Sequence, residues 1–147
     1  MPAEPAAPSV EVLPSIDAKL PAIPARLTST RSVVEIHSVQ ETNRGSVLHM
    51  MLRQLDQKAM GVVESYEQAA TFVVAPVRDD SVLTVQPVIP GRPLTLAVQG
   101  DPKKKLIAYF FFTNPGQNWR VELPRPLPRR VAIKLGNDQV DSLQGAR

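Results

Sequence analysis

The sequence contains no cysteine. Disulfide bridges, thiolate metal sites and a cysteine nucleophile are therefore excluded for these residues. No apolar run approaches the roughly 18 residues that a membrane-crossing helix needs, and Met1 is followed by Pro-Ala-Glu-Pro, not by a basic and apolar export signal. The expectation is either a cytosolic protein or a sequence that starts after a removed signal. Charge of one sign is scarce as well: 17 basic residues stand against 14 acidic ones, and the net +3 is spread along the whole chain. Such a dispersed balance offers no basic face for nucleic acid.

What is present is enough apolar material, 43% of 147 residues, for a single core. The first segment is too rich in proline to join it. Pro2, Pro5, Pro8, Pro14, Pro21 and Pro24 lie among many alanines before Leu27, a composition that resists both a helix and a sheet ladder. The expected division is a Pro/Ala-rich tether over residues 1–28 and a folded domain over 29–147. Deleting the tether should then leave the melting temperature almost unchanged.

Beyond the tether the dominant period is two, the mark of half-buried strands. Val34 and Ile36 alternate with Glu35 and His37, and Leu48, Met50 and Leu52 alternate with His49 and Arg53. Between them lies the polar segment Gln40 to Gly45, so a hairpin centred near Asn43 would pair Ile36 with Met50 and Val34 with Leu52. From Val62 to Val74 the period changes: Val62, Tyr66, Ala69, Ala70 and Val73 recur at helical spacing, which predicts one helix ended by Pro76. A further strand runs from Ser81 to Val88 with unclear facing, and Pro87 restricts its end to an edge or a bulge.

After the Pro90-Gly91 turn, Leu94, Leu96 and Val98 point inward. Leu106 to Phe112 is continuously apolar, as in a central strand covered on both sides. Trp119, Val121 and Leu123 form another inward set, which would bury the indole between two sheets near Tyr109 or Phe111. Val131, Ile133 and Leu135 form the last, before a polar tail from Gly136. The sum is a mainly β chain of about seven strands with one short helix, expected to form a two-sheet β-sandwich.

No catalytic template fits. The adjacent carboxylates Asp79 and Asp80 would point to opposite sides of an extended chain and read as solvated turn caps. His37 and His49, the only histidines, would face each other across the expected hairpin. They supply two ligands where zinc wants at least three, with Glu35 the nearest third. There is no serine on a strand-to-helix elbow and no Gly-rich phosphate loop. Lys103-Lys104-Lys105 reads as a solvated hairpin end. No cofactor, metal or small-molecule substrate is expected.

The order of landmarks is distinctive: a strand ending in Arg53-Gln54-Leu55, a helix around Ser65-Tyr66-Glu67-Gln68-Ala69, and an acidic turn. Then come Pro90-Gly91-Arg92-Pro93, the run Leu106-Ile107-Ala108-Tyr109-Phe110, and Trp119-Arg120. Over about residues 32 to 140 the sequence resembles the TssJ family, the outer-membrane lipoproteins of the type VI secretion membrane complex. The resemblance implies a transthyretin-like sandwich on the periplasmic face of the outer membrane, anchored by an acylated N-terminal cysteine. No such cysteine stands here, so the anchor is implied by the resemblance alone. The implied partner is the periplasmic C-terminal domain of the inner-membrane TssM protein, with the loop between the first two strands contributing. Here that loop is Gln40, Glu41, Thr42, Asn43, Arg44 and Gly45, without the Asn-Pro often found there. Two other functions compete with this structural role. One is a periplasmic ligand- or glycan-binding sandwich, which would need exposed aromatics; the other is a small hydrolase using the face of His37 and His49.

Overall fold

The computed structural model describes residues 9–13, 32–56, 65–77, 79–101 and 103–146. In chain order these form β1 (Ser9–Leu13), β2 (Ser32–His37), a 3-10 turn (Thr42–Gly45), β3 (Leu48–Asp56), α1 (Tyr66–Val74), β4 (Val82–Val88) and β5 (Leu94–Gln99). They continue with β6 (Lys104–Phe111), β7 (Arg120–Glu122), β8 (Arg130–Leu135) and β9 (Val140–Ala146). One sheet has the order β1-β5-β2-β8-β9 and the other β4-β3-β6-β7. All pairings are antiparallel except that of β2 with β8, which is parallel.

The alternating residues meet where their period requires. Val34, Ile36, Leu96, Val98, Val131 and Ile133 come from the first sheet and Leu48, Met50, Leu52, Phe110 and Phe112 from the second, and together they fill one core. The second sheet is apolar on its outer face too. There Met51, Val82 and Tyr109 pack with Ala69, Phe72 and Val73 of α1, which is why β6 reads as unbroken apolar sequence. The helix starts where Ser65 and Gln68 form a capping box and stops at Ala75, before Pro76. Val62, expected on the same helix, lies outside the described residues.

Four expectations need correction. First, β2 and β3 are not a hairpin, because they lie in different sheets. Ile36 and Met50 share a core by facing each other across the sandwich, not by pairing along a ladder. A period of two reports which face is buried, and is silent on which strand is the neighbour.

Second, the segment read as a tether contributes β1. Ser9 to Leu13 pair with Gln99 to Thr95, and Val10 packs on the core. Pro8 and Pro14 bracket the strand without interrupting it, and an edge strand has one side on which no donor is needed. The remainder of residues 1–28 lies outside the described residues. Third, the polar tail contributes β9, an edge strand whose Val140 and Leu143 both pack on the core, because a register shift opposite Lys134 and Leu135 leaves Asp141 as an extra residue between them.

Fourth, Trp119 is only half-buried. It stands beside Tyr109 and Phe111, as expected, but belongs largely to the layer beneath α1, with ring centroids 5.3 Å from Tyr66, 5.9 Å from Tyr109 and 6.5 Å from Phe111. The Tyr66 hydroxyl donates to the Phe112 carbonyl, and burial, followed by the charge of Glu67, raises its pKa. The unclear facing of the strand around Leu83 also has a cause. Leu52 pairs with Thr84 while Arg53 pairs with Val82, leaving Leu83 as the extra residue of a bulge.

These placements change the expected energetics. Removing residues 1–13 should lower the melting temperature by about 3–6 °C, the effect of losing roughly 1 kcal/mol of edge pairing and Val10 packing; thermal unfolding followed by circular dichroism measures this. Trp119→Ala should cost about 2–3 kcal/mol in denaturant unfolding, less than a fully buried aromatic, because part of the side chain stays accessible to water.

Candidate functional site

Four connections gather at one end of the sandwich: residues 38–47, 89–93, 112–119 and 136–139. The first ties the other three together. The Ser38 hydroxyl accepts from Gly91 N at 3.1 Å and donates to the Ile89 carbonyl at 3.4 Å. Gly91 has φ +83°, and a Cβ there would come within 3.3 Å of Gln40 Cγ, so glycine serves both the turn and the close approach. Asn43 binds the other two. Its Oδ1 accepts from Thr113 N at 2.8 Å, its Nδ2 donates to the Ser46 carbonyl at 3.1 Å, and its backbone N donates to the Asn137 carbonyl at 2.6 Å.

The local geometry is unusual. Asn43, Arg44 and Gly45 are successive left-handed residues, with φ of 51°, 55° and 80°. Gly45 adopts this freely and Asn43 tolerates it with its side chain bonded locally, whereas Arg44 has neither advantage. Thr42 accepts from Val39 N at 3.0 Å through its hydroxyl, closing the turn from the other side. The loop is thus a rigid, strained projection with Arg44 at its exposed tip.

The six residues expected to meet a partner separate accordingly. Gln40, Glu41, Arg44 and Gly45 are exposed, but Thr42 is 0% and Asn43 3% exposed. Both of the latter are polar, which on sequence alone argued against burial. They are buried because they satisfy backbone groups of their own and neighbouring loops. Their role is to hold the loop. The partners Ser38, Thr113 and Asn137 carry no sequence signal that would single them out, since each acts through a contact made by the fold. An open cleft of about 560 Å³ separates the exposed part of the loop from Asn137 and Asp138. The Asp138 Oδ1 is buried there without a hydrogen-bond partner.

The other sequence candidates do not assemble. His37 and His49 lie in different sheets, so the expected facing pair does not form. His37 Nε2 lies 3.3 Å from Glu35 Oε2, and Glu35 Oε1 lies 3.6 Å from Arg130 Nε. His49 is exposed and stands opposite Pro87 and Phe111. Among the described residues no group of three or more histidine, aspartate or glutamate side chains is placed to hold a metal ion.

Asp79 caps its turn, accepting from the Ser81 hydroxyl and from Ser81 N, and these bonds hold its carboxyl below the ordinary value. Any stability they contribute is in place above the ordinary aspartate range and is lost as the pH falls through the lowered value. Ser81 in turn accepts from Arg53 Nε at 2.9 Å, and the Arg53 guanidinium lies 4.1 Å from the Phe72 ring centroid. This group joins β3, the turn and α1. At the far end of the sandwich a cavity of about 250 Å³ is lined by Val98, Lys104, Leu106, Arg125 and Leu127 among others. Tyr109 is fully buried and Trp119 is covered by α1, so the aromatics that a glycan platform would need are engaged elsewhere.

The fold and this end define a class: a two-sheet β-sandwich carrying one outer helix, with a cross-tied loop platform. A family described as the IglE N-terminal domain matches residues 49–135, and the chain belongs to that family. Solved structures share the fold. The T6SS lipoprotein TssJ1 from Pseudomonas aeruginosa is 17% identical with a TM-score of 0.59, over 80% of this chain and 97% of that one. The membrane-bound T6SS component Lip from Serratia marcescens is 14% identical with a TM-score of 0.53, over 80% and 98%. A chain in the structure described as the T6SS protein TssM C-terminal domain from EAEC is 18% identical with a TM-score of 0.60, over 79% and 98%. No curated protein matches the sequence.

Two substitutions separate the holding role from the presenting one. Asn43→Ala should destabilise by about 1–3 kcal/mol, because it removes the side-chain bonds to Thr113 N and the Ser46 carbonyl and puts alanine in the left-handed region. Arg44→Gly should stabilise by about 0.5–1 kcal/mol through relief of backbone strain. Chemical denaturation of both variants measures the difference in sign.

Proposed function

We propose that the chain is a structural component of a type VI secretion membrane complex. In this reading it is a periplasmic lipoprotein domain held at the outer membrane by an N-terminal lipid. It binds the periplasmic C-terminal domain of an inner-membrane TssM-like partner and catalyses no reaction of its own.

The observation that carries this is the match in architecture. The chain covers 97–98% of the T6SS lipoprotein chains from Pseudomonas aeruginosa and Serratia marcescens, leaving almost nothing of those folds without a counterpart. A chain of the same fold occurs in the structure described by a TssM C-terminal domain, which supports the partner. Membership of the IglE N-terminal domain family agrees with it. The rigid loop end supports a docking role as well, because a preordered loop loses less conformational freedom on binding than a mobile one. Arg44 and Glu41 are the side chains free to engage: the arginine fork can grip a carboxylate or backbone carbonyls, and the glutamate tunes the approach.

The test is calorimetric binding of the purified chain to the periplasmic domain of its cognate TssM-like protein, repeated with Glu41→Ala combined with Arg44→Gly. This pair leaves Thr42 and Asn43 to hold the loop. Affinity should fall about 10-fold or more, the effect of losing one good interfacial arginine. Unchanged affinity would move the contact off the loop tip, and no binding by the unmodified chain would remove the secretion-complex assignment.

A further inference from the structure

The end of the sandwich away from the loop platform holds the cavity of about 250 Å³, and the chain enters the fold there. Ser9, where β1 begins, pairs with Gln99, and Ser32, where β2 begins, pairs with Val98. Ser32 and Val98 themselves line the cavity, together with Leu106 and the connection between β7 and β8. The volume falls short of the roughly 300–1,000 Å³ of drug-sized sites, so it suits one slender chain.

The β7–β8 connection is a stiff rim. Pro124, Pro126 and Pro128 recur along it, and each fixes its own φ. Leu123 is buried and Leu127 packs on the core, while a Cβ on Gly145 would come within 2.7 Å of Pro128 Cγ. Arg125 and Arg129 alternate with the two leucines and are exposed. The Arg129 carbonyl accepts from Val33 N at 2.8 Å, which holds the rim against the start of β2. Lys104, at the start of β6, and Asp101, in the turn before it, line the same cavity.

Positive charge that is dispersed along the sequence is gathered here by the fold. The pairs Lys104–Asp56 at 3.9 Å, Lys105–Glu122 at 3.3 Å and Arg130–Glu35 at 3.6 Å cancel in charge. Among the described residues of this end, Lys103, Arg125 and Arg129 then stand against Asp101, whose carboxylate already accepts from Lys103 N at 2.9 Å. Apolar walls beneath a cationic rim match an amphiphile with an anionic head.

Resting on the function proposed above, in which the anchor is N-terminal, we infer that this end binds an anionic phospholipid of the tethering bilayer. Its phosphate sits between Lys104 and Arg125, and one acyl chain lies against Val98, Leu106 and Leu127. A lipid is favoured over an acidic protein because a chain tethered from its N-terminus presents this end to its bilayer. A basic contact beside an acyl anchor also strengthens attachment to an anionic surface.

The test uses the full chain without acylation, floated with vesicles of phosphatidylcholine alone or with phosphatidylglycerol added. It should float with the phosphatidylglycerol vesicles only. Arg125→Glu with Arg129→Glu should lower partitioning about 10-fold or more, with the fold retained, since surface substitutions change stability little. Arg92→Glu with Lys134→Glu, which makes the same change in net charge toward the opposite end, should float as the unmodified chain does. The attraction should weaken from about 0.1 M to about 1 M salt, as the screening length falls from about 10 Å to about 3 Å. Soluble dioctanoylphosphatidylglycerol should raise the melting temperature saturably, and inorganic phosphate should not.

An equal rise with inorganic phosphate would assign the rim to free anions, and tighter binding of polyglutamate than of the lipid would assign it to an acidic protein; either result overturns the inference. If the chain binds its TssM-like partner but does not float with anionic vesicles, the lipid site is overturned and the proposed function stands. If it floats but does not bind that partner, the lipid site is supported while the secretion-complex assignment falls.

Discussion

The pairing of β3 with β6 is the constraint on which the other parts depend. It runs without interruption from His49 opposite Phe111 to Asp56 opposite Lys104. Both strands are buried on both faces: Met50, Leu52, Ala108 and Phe110 face the opposite sheet, and Met51 and Tyr109 face the helix. Such a pair needs two separate covers. The sheet containing β2, β5 and β8 supplies one, and α1 with Trp119 supplies the other. Losing either would expose a continuous apolar surface to water, at about 25 cal/mol for each Å² uncovered. The one α-helix among the described residues follows from that need.

The same arrangement creates the functional end. With β2 in one sheet and β3 in the other, residues 38–47 must cross the mouth of the sandwich instead of turning tightly within a sheet. A crossing segment meets every other connection at that mouth. Backbone groups gathered there need partners, and the crossing segment provides them: Thr42 for its own Val39 N, Ser38 for Gly91 N and Asn43 for Thr113 N. Rigidity at this end is thus a by-product of the route taken between sheets. It leaves Arg44 in a left-handed conformation that arginine does not favour. Strain of this kind persists only where the surroundings over-determine it, and it is commonly located where a side chain must be displayed in one orientation.

The opposite end and the edges carry a different logic. β1 and β9 close the first sheet and β4 and β7 the second. Each is poorly suited to adding another strand: β1 and β7 are short, Pro87 interrupts donors on β4, and β9 is irregular at its start and carries Asp141, Ser142 and Gln144. The free edges are blunted, which leaves association to the ends of the sandwich.

The inward-facing sets were legible in the sequence because a period of two is a local property of strand backbone. Val34 with Ile36, Met50 with Leu52, and Val131 with Ile133 all face the core as their alternation indicates. The helix was legible for the same reason, from spacing together with Pro76, whereas its start at the Ser65 capping box was not read from the sequence. The order of landmarks also pointed to the sandwich and to the loop between its first two inner strands. Which strands are neighbours was decided by the tertiary structure, because alternation is the same whichever strand lies alongside. So were the recruitment of Ser9–Leu13 and Val140–Ala146 as edge strands, whose weak patterns become sufficient once a ladder is offered to them. Burial of Thr42 and Asn43 belongs to this second kind of information too. A polar side chain is buried only where distant backbone groups need it, and those groups, at Thr113 and Asn137, reach the loop only once the two sheets have packed.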